Sequence, residues 1–511
     1  MAPSPLPVAG STVSFWRADP HSLDDHRSTP DLPAQADITI VGAGFAGVAT
    51  AHHILEHCRT QGSETPSILI LEARQACSGA TGRNGGHMKP DPYSRPSVLA
   101  ASHGIEVAAE FAEFEAKNLS AVKDLIEAQN IECDFVLTRA LDVLMTDEIC
   151  QAIKSKADNL RKDGLSVMRD VQFVEGPQAE QVSPLAISFL PAVNSESLTR
   201  VSQLSGITGA KGCFSYTAGH LSPYKLVLHL LNQAVSAGVN LQTNTPVTSI
   251  SDTEGNVIVE TLRGSVRTSK IVFATNAYTS FLLPEFSETI VPVRGICSHI
   301  APGKLPAPPL PNSYIIRWSG NEYEYLIPRL DGGIVVGGAR SRYFLDLDSW
   351  YKNVEDDKLI EPAKNHFDGY MQRVFRGWND SGASTSKVWT GIMGYTDDGF
   401  PHIGVVPARE NQYMLAGFNG HGMPQIFLAA KGVASMIMEG ASFEETGIPR
   451  VCKATVERIS SSGNAILDLW KDAIKADQIA TKRRKSKLSA LGLTSSQDGK
   501  SELPCTAPLL R

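Results

Sequence analysis

An apolar strand that breaks into three glycines at fixed spacing constrains this chain more than any other feature. Asp37-Ile38-Thr39-Ile40-Val41 runs into Gly42-Ala43-Gly44-Phe45-Ala46-Gly47, an apolar helix follows to about Cys58, and Ser67-Ile68-Leu69-Ile70-Leu71 closes on Glu72. Absent side chains at Gly42, Gly44 and Gly47 permit a tight turn, close approach of backbone to a pyrophosphate and close packing of helix on strand. The helix start presents free N–H groups and a partial positive charge, so Gly42 through Gly47, with Ala43, Phe45 and Ala46, are the expected phosphate cradle. Glu72, ending the second strand, is placed to accept hydrogen bonds from ribose hydroxyls. Strand, turn, helix and acid together read as a dinucleotide site.

The 511 residues exceed one compact core and suit two or three domains. With 42% hydrophobic and 20% charged residues the chain has the balance of a globular protein. A net charge of -7 gives no reason to expect nucleic acid as partner. No apolar run approaches the roughly eighteen residues of a membrane span. The start Met1-Ala2-Pro3-Ser4-Pro5-Leu6-Pro7 lacks the basic and apolar regions of a secretory signal, so a cytoplasmic location is expected. Eight scattered cysteines form no Cys-x-x-Cys pair, and neither a disulfide framework nor a metal site is indicated.

After Glu72-Ala73-Arg74 comes Cys77-Ser78-Gly79-Ala80-Thr81-Gly82-Arg83-Asn84-Gly85-Gly86-His87. Small residues flank an Arg-Asn pair, so backbone amides, the Thr81 hydroxyl and the Arg83 guanidinium are expected against one extended anionic ligand. These motifs resemble the FAD-dependent oxidoreductases of the D-amino-acid oxidase, sarcosine oxidase and glycine oxidase superfamily. The Gly82-Arg83-Asn84-Gly85-Gly86 signature resembles the γ-glutamylputrescine oxidase-like branch, where Gln usually stands in place of His87. The resemblance implies FAD, with this loop against its pyrophosphate and ring. It also implies that Val247 lies on the adenine and that Thr275-Asn276 ends a strand beside the cofactor.

Near the C-terminus, Gly417-Phe418-Asn419-Gly420-His421-Gly422-Met423-Pro424 precedes a helix with Ile426, Phe427, Val433, Met436 and Ile437 on its buried side, and Pro424 suits its first position. The resemblance turns this helix start, with Gly417, Asn419, Gly420, Gly422 and Met423, toward the flavin pyrimidine ring. The fold class expected is α/β with an α+β substrate domain: a discontinuous Rossmann-type FAD-binding domain and an inserted antiparallel-sheet domain. The boundaries expected are an irregular arm 1–35, FAD segments 36–97, 215–287 and 395–450, a helical and substrate-domain segment 98–214, substrate-domain sheet 288–394, and a C-terminal helix with a disordered basic tail over 451–511.

The function expected is FAD-dependent oxidation of the C–N bond of a primary or secondary amine, with hydride passing to flavin N5 and the imine hydrolysed by water. The alternatives are an NAD-linked dehydrogenase and a flavin-binding protein without turnover. The partners are a small-molecule amine and O2 or another electron acceptor. In glycine oxidase-like relatives an Arg where Met393 stands here, and another near Gly420, hold a substrate carboxylate. A Cys at the Met393 position carries covalent flavin in others, and a Lys serves them where Val335 falls. The hairpin supplies Tyr314, Trp318, Tyr323 and Tyr325 with Glu322 and Glu324 alternating among them, an aromatic and acidic wall for a cationic amine or an ordinary half-buried strand pattern. His421 and His87 follow glycines expected at the flavin and are the candidates for proton transfer or for simple loop filling.

Overall fold

The computed structural model describes residues 6–176 and 205–471, apart from positions 254, 306, 321, 462 and 469. A compact unit runs to Ile466, and a second begins at Leu467. The basic run Thr481 to Lys487 and the tail lie outside the described residues.

Period-two alternation builds the first sheet. Strands Gln35–Val41, Ile68–Leu71, Asn240–Gln242, Gly264–Phe273 and Gln412–Ala416 run parallel in the order 412–416, 264–273, 35–41, 68–71, 240–242, with His402–Val405 antiparallel on one edge. Successive side chains of a strand point to opposite faces. Accordingly Ile38, Ile40, Ile68, Ile70 and Val272 enter a core with helices Phe45–Gln61, Pro223–Ser236 and Ile426–Glu439, while Leu69, Leu71, Ile271 and Phe273 enter a second core on the opposite face. That opposite face is closed by the hairpin Val247–Thr253 and Asn256–Thr261, with Val247, Val257 and Val259 buried.

The second sheet has the order 384–396, 290–301, 334–337, 323–328, 313–317, 136–144, 212–220, 87–88. Its pairs are antiparallel except Ser313–Arg317 on Val136–Leu144, where two antiparallel halves meet. The strand Gly212–His220 runs through the 214/215 boundary drawn from sequence, and His87–Met88 leaves the glycine loop to join this sheet. The helical stretch after residue 97 begins slightly earlier and is two helices, Ser94–His103 and Ile105–Gln129, broken at Gly104. Pro424 stands outside the helix Ile426–Glu439, which starts after Gln425, so Pro424 shapes the entering turn and not the first helical position.

From residue 6 to 34 the chain is irregular apart from the short turn Phe15–Arg17 and a bridge at Arg27, yet Ser14 and Trp16 are buried. Their polar atoms explain this: Ser14 Oγ donates to Gly82 O at 2.6 Å and Trp16 Nε1 to Asn84 O at 2.7 Å.

Close approach decides the glycine turn. Gly42 has φ +112°, and a Cβ on Gly47 would lie 2.0 Å from Gly42 O and 3.1 Å from Ile40 Cγ2. Gly47→Ala is therefore expected to lose about 1–3 kcal/mol of stability or more, because backbone has to move to admit one methyl. A thermal unfolding midpoint equal to wild type would show that the turn yields freely.

Candidate active site

The carboxyl ends of the parallel strands, where open α/β sheets bind ligands, carry the expected cradle. Glu72 is half-buried beside the Gly42–Gly44 turn: Oε2 accepts from Ala43 N and Oε1 from Arg74 N, each at 2.9 Å. Thr81 Oγ1 accepts from Phe45 N at 3.1 Å, bringing the glycine loop to the helix start. Asn244 N donates to Arg74 O and Thr245 N to Glu72 O, which draws the approach to Val247 alongside. Across the edge, Asn276 holds a left-handed backbone (φ 45°) and its Oδ1 accepts from Gly417 N at 3.1 Å and Phe418 N at 3.3 Å. Asn419 in turn accepts from Thr396 N at 2.9 Å and donates to Gly417 O at 2.7 Å. Segments more than two hundred residues apart thus share one edge.

The glycine loop is held by its carbonyls. Those of Gly82, Arg83 and Asn84 accept from Ser14 Oγ, Trp389 Nε1 and Trp16 Nε1 respectively, at 2.6, 2.8 and 2.7 Å. The Arg83 guanidinium is buried and engaged by protein: Nε donates to Thr390 O at 2.5 Å, Nη2 to Thr12 Oγ1 at 2.6 Å, and Asp356 lies 3.6 Å away. Arg74 makes a bidentate pair with the same Asp356 at 2.9 and 3.0 Å. Burial pushes Arg83 down to about 10, opposed by the Asp356 charge. These arginines are spent on the arm and the Asp356 loop, leaving Thr81 and backbone groups nearest the nucleotide turn.

Met393 belongs to the strand Ser384–Thr396 and meets the Gly420 turn, its Sδ 3.1 Å from where a Gly420 Cβ would stand. The Tyr395 hydroxyl is equally close to that point. Tyr325 packs over Gly85 and Gly337, with its hydroxyl 3.2 Å from Cys297 Sγ. Strand alternation puts Arg317 and Tyr323 on the Tyr325 face and Tyr314 and Glu324 on the other. Tyr314 meets Phe375 edge-on, and Trp318 donates to Glu324 at 2.9 Å, so both stand away from Tyr325. Burial raises the Glu324 pKa, but His366, Trp318 and Tyr370 hold it below the usual range. The Tyr325 face carries Asp142 with its partner Arg317, while Glu324 lies on the other. Arg317 pairs with Asp142 at 2.8 Å, and Arg340 sits 5.2 Å from the Trp350 ring and 5.8 Å from the Tyr395 ring.

His87 meets the Tyr325 ring edge-on at 5.5 Å, and burial lowers it to about 3. It is therefore neutral near pH 7. His421 is about one-fifth exposed (22%), with Nε2 3.2 Å from the fully buried Glu115.

The FAD dependent oxidoreductase (DAO) family model matches residues 37–436. The chain belongs to this family. Gamma-glutamylputrescine oxidoreductase of Escherichia coli (strain K12) is 22% identical over 405 residues, covering 78% of this chain and 83% of that protein. Among solved structures, glycine oxidase from Geobacillus kaustophilus superposes with a TM-score of 0.58 at 19% identity, covering 80% of this chain and 96% of its own. L-Amino acid deaminase from Proteus myxofaciens reaches 0.61 at 14% identity, covering 89% and 98%. At these identities the structural matches establish the fold.

This FAD-dependent oxidoreductase takes FAD as its cofactor, which sets aside the NAD-linked alternative. The residues present fit that group: a glycine turn with no room for side chains, an acid beside it, and a helix start facing the same edge. No helix among the described residues is long and apolar enough to cross a membrane, and none of their acidic, histidine and cysteine side chains cluster as a metal site.

Sequence reasoning missed Glu115, Asn118, Lys89, Asp91, Arg340 and Asp356. Glu115 and Asn118 had a local signal, two polar residues three apart within the apolar stripe Phe111, Phe114, Leu119, Val122 of one helix. Asp356 had none, since its partners are distant in sequence.

Asp356→Ala would leave Arg74 and Arg83 buried without their carboxylate, an expected loss of about 3–5 kcal/mol by chemical denaturation. A loss under about 1 kcal/mol would show the pairs to be dispensable. For His87 the folded value near 3 lies below the ordinary 6.5, so the folded state binds fewer protons. Its contribution is complete above 6.5 and falls as pH drops toward 3, and His87→Gln is expected to flatten the stability–pH curve in that window.

Proposed function

We propose that this chain oxidises the C–N bond of a small-molecule amine, with His421 as the proton acceptor. The observation that carries this reading is the place of His421. Its turn is tied through Asn276 to the nucleotide sheet and lies against Met393 and Tyr395 of the second sheet. A histidine on a turn that touches both sheets supports a proton-accepting role there. The Escherichia coli relative named for gamma-glutamylputrescine supports an amine.

FAD, when bound, supplies the acceptor for the hydride that leaves the carbon next to nitrogen. The chain's own task is to deliver the amine neutral, because an ammonium nitrogen has no electron pair to assist that departure. His421 takes the proton, and Tyr395 and Met393 stand against the turn that carries it. His87, held neutral by burial, packs edge-on against the Tyr325 ring and takes up no further proton. Water then hydrolyses the released imine to carbonyl and amine. No arginine stands at Met393 or near Gly420, from where relatives hold a carboxylate, and Val335 is buried where a lysine serves others. The electron acceptor, O2 or another, is therefore to be found by assay.

Anaerobic mixing of the purified yellow protein with primary and secondary amines is expected to bleach the flavin band with at least one of them. Failure of every amine would overturn the reading in favour of a flavin-binding protein without turnover. His421→Ala is expected to slow bleaching at least about tenfold. An unchanged rate would remove His421 from the chemistry.

A further inference from the structure

We infer that Glu115 is a positioning residue that selects the His421 tautomer, holding Nε2–H and leaving Nδ1 to accept the substrate's ammonium proton. The inference rests on the amine-oxidation reading and deepens it.

Glu115 lies mid-way along the helix Ile105–Gln129 and is 0% exposed. A carboxylate so buried is tolerated only when hydrogen bonds replace its water. Three groups do so: Gln425 Nε2 donates to Oε1 at 2.7 Å, Asp91 N donates to Oε2 at 2.7 Å, and His421 Nε2 stands 3.2 Å from both oxygens. An ionised carboxylate only accepts, so Nε2 must carry the hydrogen. In the neutral ring the lone pair is then on Nδ1. Nδ1 bonds to none of the described residues, and the ring keeps its 22% exposure.

The same helix fixes where the ring stands. One turn on, Asn118 Nδ2 donates to Met423 O at 3.2 Å and Asn118 Oδ1 accepts from Leu428 N at 2.9 Å. Residues 421 to 428 are gripped by two polar side chains on one face. The charged and titratable groups around His421 are Glu115 from this helix, Asp91 and Lys89 from the segment after His87–Met88, and Tyr395 from the neighbouring strand. Lys89 donates to Tyr216 at 2.8 Å, and Asp91 accepts from Ser94 N and Arg95 N at the start of the next helix. Glu115 is thus the carboxylate in contact with the ring.

In the proton step an ammonium N–H bond breaks and an Nδ1–H bond forms. The amine nitrogen keeps the electron pair, and the positive charge passes to an imidazolium whose other N–H already faces Glu115. That carboxylate compensates the charge without moving.

Glu115→Gln keeps the volume and reverses one donor. The amide oxygen keeps Asp91 N, the amide NH2 takes the place of Oε1 beside Gln425, whose own amide turns to accept from it, and that NH2 also faces His421 Nε2, so the proton of the neutral ring moves to Nδ1. The variant is expected to bind FAD and unfold at temperatures near wild type while its bleaching rate by a substrate amine falls about tenfold or more. In a His421→Ala background the same change should cost nothing further, the mark of two residues acting as one unit. Histidine 15N spectra, with the His421 signals assigned by their loss in His421→Ala, should show Nδ1 unprotonated in wild type and protonated in Glu115→Gln. Equal losses in both backgrounds, or a protonated Nδ1 in the neutral wild-type ring, would overturn the proposal. The wild-type spectrum decides the matter even where the variant fails to fold. If no amine bleaches the wild-type flavin, the oxidation reading fails while the spectrum still tests the Glu115–His421 pair.

Discussion

A single buried carboxylate facing two buried arginines holds the cofactor side together. Asp356 receives Arg74 in a bidentate pair and lies 3.6 Å from Arg83, with all three side chains nearly inaccessible. Charges removed from water persist only with partners and further hydrogen bonds, and here those come from the arm at Ser11 and Thr12 and from Thr390 O. Arm, glycine loop and second sheet are therefore interdependent.

Satisfied carbonyls give the glycine loop its shape. Because Gly82 and Asn84 offer their oxygens to the arm and Arg83 offers its own to Trp389 of the second sheet, the loop cannot shift without exposing buried acceptors. The arm is a covering piece whose Ser14 hydroxyl and Trp16 indole satisfy two of this turn's carbonyls, while its Ser11 and Thr12 hydroxyls accept from the Arg83 guanidinium. Phe15 also stacks on His299 at 3.9 Å, extending the cover onto the second sheet.

The helix Ile105–Gln129 plays the corresponding part on the substrate side. Its apolar stripe belongs to the main core, while Glu115 and Asn118 interrupt that stripe to reach the turn before the helix Ile426–Glu439. A purely apolar stripe would pack as well, so two buried polar residues at this spacing mark where the helix orients other groups as well as fills space.

The nucleotide-binding half was legible because its signals are local: apolar alternation, glycines where backbone passes backbone, and an acid at a strand end all act within a few residues of one another. Gly42, Gly47 and Glu72 needed no partner from elsewhere to declare themselves, and the family followed from them and from Gly82 to Gly86. The sequence alone thus determined the fold class, the cofactor and the candidate histidines. Tertiary structure alone decided which face of the hairpin Tyr314 and Trp318 occupy, that Arg83 is spent on Asp356 and the arm, and that Glu115 stands behind His421. Each of those depends on strand register or on contacts across hundreds of residues, and the energy of such a contact is set by distance and burial, quantities that chain order does not encode.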